Sequence, residues 1–138
     1  MTDTAAIVLA AGMGTRMKSP LPKVMHKVAG RPMISHLLET VDSLGASKKV
    51  VVIGPDMDNV AQTVAPTQCV VQKNRLGTAD AVKAADGVLR GFDGDVLVLY
   101  GDTPLITKAT LDKMIEARRN GATVVVLGFT PEDPAKYG

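Results

Sequence analysis

The chain has 138 residues, of which 46% are hydrophobic, 22% charged and 3% aromatic, and its net charge is +2. These values are typical of one globular domain with an aliphatic core, and they exclude a disordered chain. The small net charge gives no reason to expect a nucleic acid or a membrane surface as partner. The scarcity of aromatic residues also argues against a base-stacking surface.

The single cysteine, Cys69, excludes an internal disulfide and is typical of a reducing compartment. The start of the chain lacks the basic and apolar pattern of a signal peptide. Its longest apolar runs are far shorter than the roughly 18 residues that a membrane span requires. We therefore expect a cytoplasmic domain.

Five short apolar runs predict strands that are buried on both faces, as in parallel sheets covered by helices. They cover residues 5–10, 50–53, 69–71, 96–100 and 123–127. Between them, apolar residues recur at helical spacing over residues 33–44, 78–89 and 107–119, and more weakly over 56–64. This alternation predicts an α/β fold, a three-layer Rossmann-like and mostly parallel sheet with helices on both faces.

Ligands of such sheets bind beyond the carboxyl ends of the strands, which selects the loops after residues 10, 71 and 100. In the first loop, Gly12 and Gly14 let the backbone approach an anion closely. Arg16 adds a planar fork suited to phosphate and Lys23 a point charge. Residues 4–38 contain no acidic residue and five cations, namely Arg16, Lys18, Lys23, Lys27 and Arg31.

This pattern predicts a polyphosphate site, although a tight turn with solvated cations would give the same two glycines. The dinucleotide fingerprint does not match, because Met17 stands where a third glycine is needed. The Gly-Lys-Ser/Thr sequence of the ATPase loop is absent as well.

The other two loops carry polar side chains of complementary chemistry. The amide of Gln72 can donate and accept at once, which suits the edge of a pyrimidine base. Gly77 and Thr78 open a helix whose backbone N–H groups are available, although Thr78 could serve only as a helix cap. Asp102 follows a strand and could reach a metal bound to phosphates, or be a turn residue. Asp80 in a first helical turn is interpreted as structural.

Residues 9–17, Leu-Ala-Ala-Gly-Met-Gly-Thr-Arg-Met, and the following Pro22-Lys23 resemble the signature of nucleoside-diphospho-sugar pyrophosphorylases. Within that family, residues 22–36 are similar to the bacterial N-acetylglucosamine-1-phosphate uridyltransferases, bifunctional enzymes that also carry an acetyltransferase β-helix. The quoted matches there are Pro22, Lys23, Val24, His26, Gly30, Pro32, Met33 and His36. Gln72 with Leu-Gly-Thr at 76–78 resembles the family's uracil-reading element, and Tyr-Gly-Asp-Thr-Pro-Leu at 100–105 resembles its metal-bearing segment.

The resemblance implies that UTP and N-acetylglucosamine-1-phosphate react to UDP-N-acetylglucosamine and pyrophosphate, with Mg²⁺ as cofactor, for cell-wall precursor synthesis. It assigns catalysis to Arg16 and Lys23 and the metal to Asp102. The substrate-binding residues that it implies are Leu9, Ala10, Ala11, Gly12, Gly14, Thr15, Gln72, Gly77, Thr78, Tyr100, Gly101 and Gly138.

The resemblance spans the whole chain but only the first part of the family's uridyltransferase domain. We therefore expect residues 1–138 to be the nucleotide-binding portion of that domain, without its sugar-binding remainder and without the acetyltransferase domain. The parent is expected to be a homotrimer and this chain a monomer. Three alternatives stay open: a fragment that binds UTP or a UDP-sugar without turnover, a sibling transferase for another base or sugar, and a domain that acts only in assembly.

Overall fold

The structure is a computed structural model that describes residues 2–136. The strands are β1 (Thr4–Leu9), β2 (Lys27–Val28), β3 (Arg31–Pro32), β4 (Lys48–Ile53), β5 (Gln68–Val71) and β6 (Asp95–Tyr100). The helices are α1 (Met33–Ser43), α2 (Asp58–Val64), α3 (Thr78–Ala84), α4 (Asp86–Leu89) and α5 (Lys108–Arg119), with short 3₁₀ turns at Thr15–Met17, Lys23–Met25 and Pro134–Lys136.

Four parallel strands form the central sheet in the order β5-β4-β1-β6, while β2 and β3 form a separate antiparallel ribbon. Successive side chains of β1 point to opposite faces of the sheet. Ala6 and Val8 belong to the core cluster that contains α1, α2 and Leu111 of α5. Ile7 belongs to the cluster on the other face, with Ala81 and Ala85. The predicted three-layer α/β fold is thereby confirmed.

The sequence prediction of a fifth strand over residues 123–127 is wrong. The segment has no ladder partner in the described residues, and Val124 and Val126 are 74% and 83% exposed. An apolar run becomes a strand only where a neighbouring backbone pairs with its N–H and C=O groups. Among residues 2–136, β6 pairs with β1 alone, so no strand adjoins its outer edge.

Two further predictions need correction in detail. β6 is buried on one face only, since Leu97 and Leu99 lie in the core while Val98 and Tyr100 are exposed. The helix predicted over 78–89 is divided into α3 and α4. Gly87 in the second part lowers the helix propensity of that segment.

Cys69 is half-buried and packs against the larger core cluster. Burial raises the pKa of its thiol, so the group stays protonated at neutral pH and behaves as a small apolar side chain. No helix within residues 2–136 is long and apolar enough to cross a membrane.

Leu37→Ala is expected to lower the free energy of unfolding by about 2–5 kcal/mol, because it leaves a cavity in the main core. Leu37 of α1 is fully buried there. Urea denaturation measures the change. Leu105→Ala is the matched control, since Leu105 is 83% exposed and the same atoms are removed from solvent-facing surface. Equal effects of the two substitutions would contradict the assignment of this core.

Candidate functional site

A cavity of about 310 Å³ opens at the carboxyl edge of the sheet, where β1, β5 and β6 end. This volume is in the range of small-molecule sites. Its lining residues come from all three loops selected from the sequence, and Val24, Arg75 and Ala81 are the three among them that were not predicted as site residues. The lining residues are Leu9, Ala10, Ala11, Gly12, Gly14, Lys23, Val24, Gln72, Arg75, Gly77, Thr78, Ala81, Tyr100 and Asp102.

Three further predicted site residues are described by the structure and are not among the lining residues. Gly101 is beside the cavity, and its backbone N–H donates to the carbonyl oxygen of Leu9 at 2.9 Å. A Cβ at Gly101 would lie 2.8 Å from Cγ1 of Val24, so this close approach requires glycine. Thr15 and Arg16 are exposed on the 3₁₀ turn and are not among the lining residues. Gly138 lies outside the described residues.

Gly14 holds the first loop in a conformation that places Lys23 at the cavity. Its φ of +60° lies in the left-handed region, where a Cβ is unfavourable. A Cβ built at Gly14 would lie 2.8 Å from the Cβ of Lys23, well inside ordinary contact distance. The glycine therefore serves both the turn and the position of the lysine.

Gly14→Ala is expected to displace Lys23 and to weaken binding of UTP, the ligand that the sequence resemblance implies, by about tenfold, besides a cost of about 1–2 kcal/mol for the backbone conformation. Calorimetric titration with UTP and thermal melting measure the two effects. Gly45→Ala is the control, because Gly45 has a φ of +71° but open space around its Cβ position. The control should lose stability and keep its UTP affinity; a parallel loss of affinity would point to general destabilisation instead.

An ion pair links the first loop to the loop after β6. Nζ of Lys23 lies 2.7 Å from Oδ2 of Asp102, and the two side chains are 44% and 30% exposed. Partly exposed pairs contribute little to stability, typically about 0–1 kcal/mol. A polyanionic ligand can therefore separate this pair at small cost, because the ligand itself provides a partner for the ammonium group.

Asp102 is suited to a metal that arrives with phosphates. No group of three or more His, Cys, Asp or Glu side chains that could hold a metal occurs in the part of the chain that is described. Mg²⁺ commonly uses one or two carboxylates and completes its shell with phosphate oxygens and water. A single carboxylate at the cavity fits that arrangement, whereas it does not fit a metal cage built from protein ligands alone.

Gln72 is 5% exposed, and its amide is already engaged within the chain. Nε2 donates to the carbonyl oxygen of Gly77 at 3.1 Å and to Oδ2 of Asp80 at 2.8 Å. The same carboxylate oxygen accepts the backbone N–H of Leu76 at 3.3 Å. The sequence analysis predicts that this amide donates to and accepts from a base at once. The structure does not support that prediction, because both N–H donors of the amide are already used within the chain.

Arg75 is a cavity residue that the sequence reasoning missed. Its Nε donates to the carbonyl oxygen of Ala11 at 2.9 Å, which ties the loop after β5 to the first loop. The cations considered in the sequence analysis all lie within residues 4–38, and Arg75 lies outside that range. Of those five cations only Lys23 lines the cavity, and Arg31 pairs with Glu39 at 2.9 Å on the surface.

Residues 6–135 match the MobA-like NTP transferase domain. The chain belongs to this family. It is 64% identical over 136 residues to the Bifunctional protein GlmU of Paramagnetospirillum magneticum, a match that covers 97% of this chain and 30% of that protein. The chain thus spans about 30% of the length of this curated relative. These matches confirm the family resemblance drawn from the first loop and from residues 22–36.

Solved structures of other proteins show the same fold. A nucleotidyl transferase from Methanothermobacter thermautotrophicus is 26% identical, with a TM-score of 0.64 over 83% of this chain and 57% of that one. Rv0371c of Mycobacterium tuberculosis, solved as a complex with manganese, is 20% identical and has a TM-score of 0.68 over 84% of this chain and 59% of that one. The second likeness shows the fold alone.

Proposed function

We propose that the cavity binds UTP and that residues 1–138 are the nucleotide-binding portion of a sugar-phosphate uridyltransferase that makes UDP-N-acetylglucosamine. The observation that carries the proposal is the convergence of three strand-end loops on one cavity. Two cations, Lys23 and Arg75, and a single carboxylate, Asp102, line that cavity, and Lys23 pairs with Asp102. Membership of an NTP transferase family supports nucleotidyl transfer, and the motif resemblance supports the uracil base and the sugar.

The proposed reaction is one displacement at phosphorus. A phosphate oxygen of N-acetylglucosamine-1-phosphate attacks the α-phosphorus of UTP, the bond to the bridging oxygen of the β-phosphate breaks, and pyrophosphate leaves with that electron pair. No covalent intermediate with the protein is needed. The protein has to position two polyanions and to offset the negative charge that develops in the transition state between them.

Each part of the cavity has a role in that task. The backbone at Gly12 and Gly14 lies against the triphosphate, and Lys23 stabilises charge at the α-phosphate. We assign Arg16, which is exposed on the turn of the first loop, to the leaving phosphates on the strength of the motif resemblance. Asp102 would hold Mg²⁺, which when bound offsets phosphate charge.

The wider assignments rest on the resemblance alone. We propose UTP and N-acetylglucosamine-1-phosphate as small-molecule substrates, a cytoplasmic location, and a role in supplying precursors for the cell wall and lipopolysaccharide. The resemblance implies that the acetyltransferase activity and the trimer contacts belong to a part of the family's enzymes outside the matched length. This chain by itself is expected to be a monomer.

Calorimetric titration of the chain with UTP and Mg²⁺ tests the proposal. A bound nucleotide at 100 times its dissociation constant should add about 2.7 kcal/mol to the free energy of unfolding. Pyrophosphate release is then measured with N-acetylglucosamine-1-phosphate, for the chain and for a chimera in which residues 1–138 replace the matching part of the Paramagnetospirillum magneticum relative. Release by the chimera is expected.

The remaining outcomes separate the alternatives. Binding of UTP without release by either protein would show a nucleotide-binding module. Stronger binding of another nucleotide in a panel of four triphosphates would show a sibling transferase. No effect of any nucleotide on the melting temperature would refute the proposal and leave a domain that acts only in assembly.

A further inference from the structure

The orientation of the Gln72 amide follows from the chemistry of its two partners. The carbonyl oxygen of Gly77 and the carboxylate of Asp80 are acceptors without a hydrogen to donate. Only the NH₂ group of an amide can satisfy both. The opposite orientation would place the amide oxygen against two other oxygens, so these two contacts fix which end of the side chain is which.

Gln72 also lines the cavity, so the group that it leaves for a ligand is Oε1, an acceptor. Within residues 2–136, both hydrogen bonds described for this amide use Nε2. The pairing edge of uracil carries one donor, the imide N3–H, between two carbonyl oxygens. Cytosine has no hydrogen at that position. An oriented amide oxygen therefore complements the one N–H that distinguishes the uracil ring.

We propose that Asp80 is a positioning residue that fixes the Gln72 amide with Oε1 toward the nucleobase, so that the site selects a base with an imide N–H. The inference rests on the proposed UTP site and deepens it. Asp80 lies in the first turn of α3, where a negative charge is favourable in any case. The test must therefore separate base selection from helix stability.

Binding of UTP, CTP and 3-methyluridine triphosphate to the chain provides that separation. The wild-type chain should bind 3-methyluridine triphosphate and CTP about tenfold or more weakly than UTP, as expected when one buried hydrogen bond is lost. Asp80→Asn allows the side chain at 80 to donate as well as accept, which removes one of the two constraints on Gln72. The preference for UTP over both analogues should then fall by about threefold or more.

Asp86→Asn is the matched control. Asp86 is exposed in the first turn of α4, so the substitution removes the same charge from a similar position. It should leave the ratio of the three affinities unchanged. An unchanged ratio in Asp80→Asn would overturn the role of Asp80. Equal wild-type affinities for UTP and 3-methyluridine triphosphate would overturn the orientation, while absence of UTP binding would also overturn the proposed function.

A measurement on the wild-type chain guards against an Asp80→Asn variant that fails to fold. The side-chain NH₂ protons of Gln72 should be protected from solvent exchange in the free protein, because they are hydrogen-bonded to the Gly77 carbonyl oxygen and the Asp80 carboxylate. They should stay protected when UTP binds, since the base contacts the oxygen. Loss of protection on UTP binding would show that the NH₂ group turns toward the base and would contradict the inference.

Discussion

Lys23→Ala is expected to slow pyrophosphate release by about 10²–10³-fold in the chimera, which is the typical effect of removing one donor that stabilises the negative charge of a transition state. The ammonium group of Lys23 lies at the cavity between the first loop and Asp102. Its charge is most useful when negative charge accumulates at the α-phosphate. The rate should therefore fall further than the affinity for UTP does.

Steady-state pyrophosphate release and UTP calorimetry on the same preparation measure the two quantities. Lys27→Ala is the control, because Lys27 is an exposed cation of β2 that does not line the cavity. The control should keep its rate within about twofold. Unchanged release by Lys23→Ala would remove this lysine from the mechanism, and a loss of affinity alone would reduce its role to binding the ground state.

Asp102→Asn is expected to abolish most of the effect of divalent metal on UTP binding, because an amide is a poorer ligand for Mg²⁺ than a carboxylate. In the wild-type chain, removal of metal with EDTA should weaken UTP binding by about tenfold or more. In the variant, the affinities with and without metal should converge. Calorimetry with Mg²⁺, or Mn²⁺ as a spectroscopic probe, measures the difference.

Asp112→Asn supplies the matched control, since Asp112 is an exposed carboxylate paired with Lys108 on α5, away from the cavity. Lys23→Ala gives a second comparison. It frees Asp102 from its ion pair, so the nucleotide-free variant should bind Mn²⁺ more tightly than the wild type does. A full metal response in Asp102→Asn would assign the metal to another group.

The sheet could be predicted from the sequence because its central strands are buried on both faces. The aliphatic runs within β1 and β4 have no polar alternation, and the structure places them in the middle of the sheet. The same reasoning failed at the edge. Residues 123–127 have an equally apolar sequence, but whether they form a strand depends on a neighbouring backbone and not on their own composition.

The position of the cavity was predictable in outline, because parallel strands bring their carboxyl-end loops together at one edge of the sheet. The contacts between the loops could not be predicted from the sequence. Arg75 contacts the first loop through a hydrogen bond to Ala11, and Lys23 pairs with Asp102 of the loop after β6. The use of the Gln72 donors by Asp80 likewise depends on side-chain packing. Such contacts follow from three-dimensional proximity, which a single sequence does not encode locally.

The most direct test of the central claim is a ¹H–¹⁵N NMR titration of the chain with UTP and Mg²⁺. The claim is that the first loop and its two partner loops hold the nucleotide at the carboxyl edge of the sheet. It predicts that the largest shifts fall on the backbone amides of Gly12, Gly14, Gly77 and Thr78. Saturating UTP that leaves these amides unmoved, or shifts a surface elsewhere, such as the one around Arg31 and Glu39, would contradict the claim.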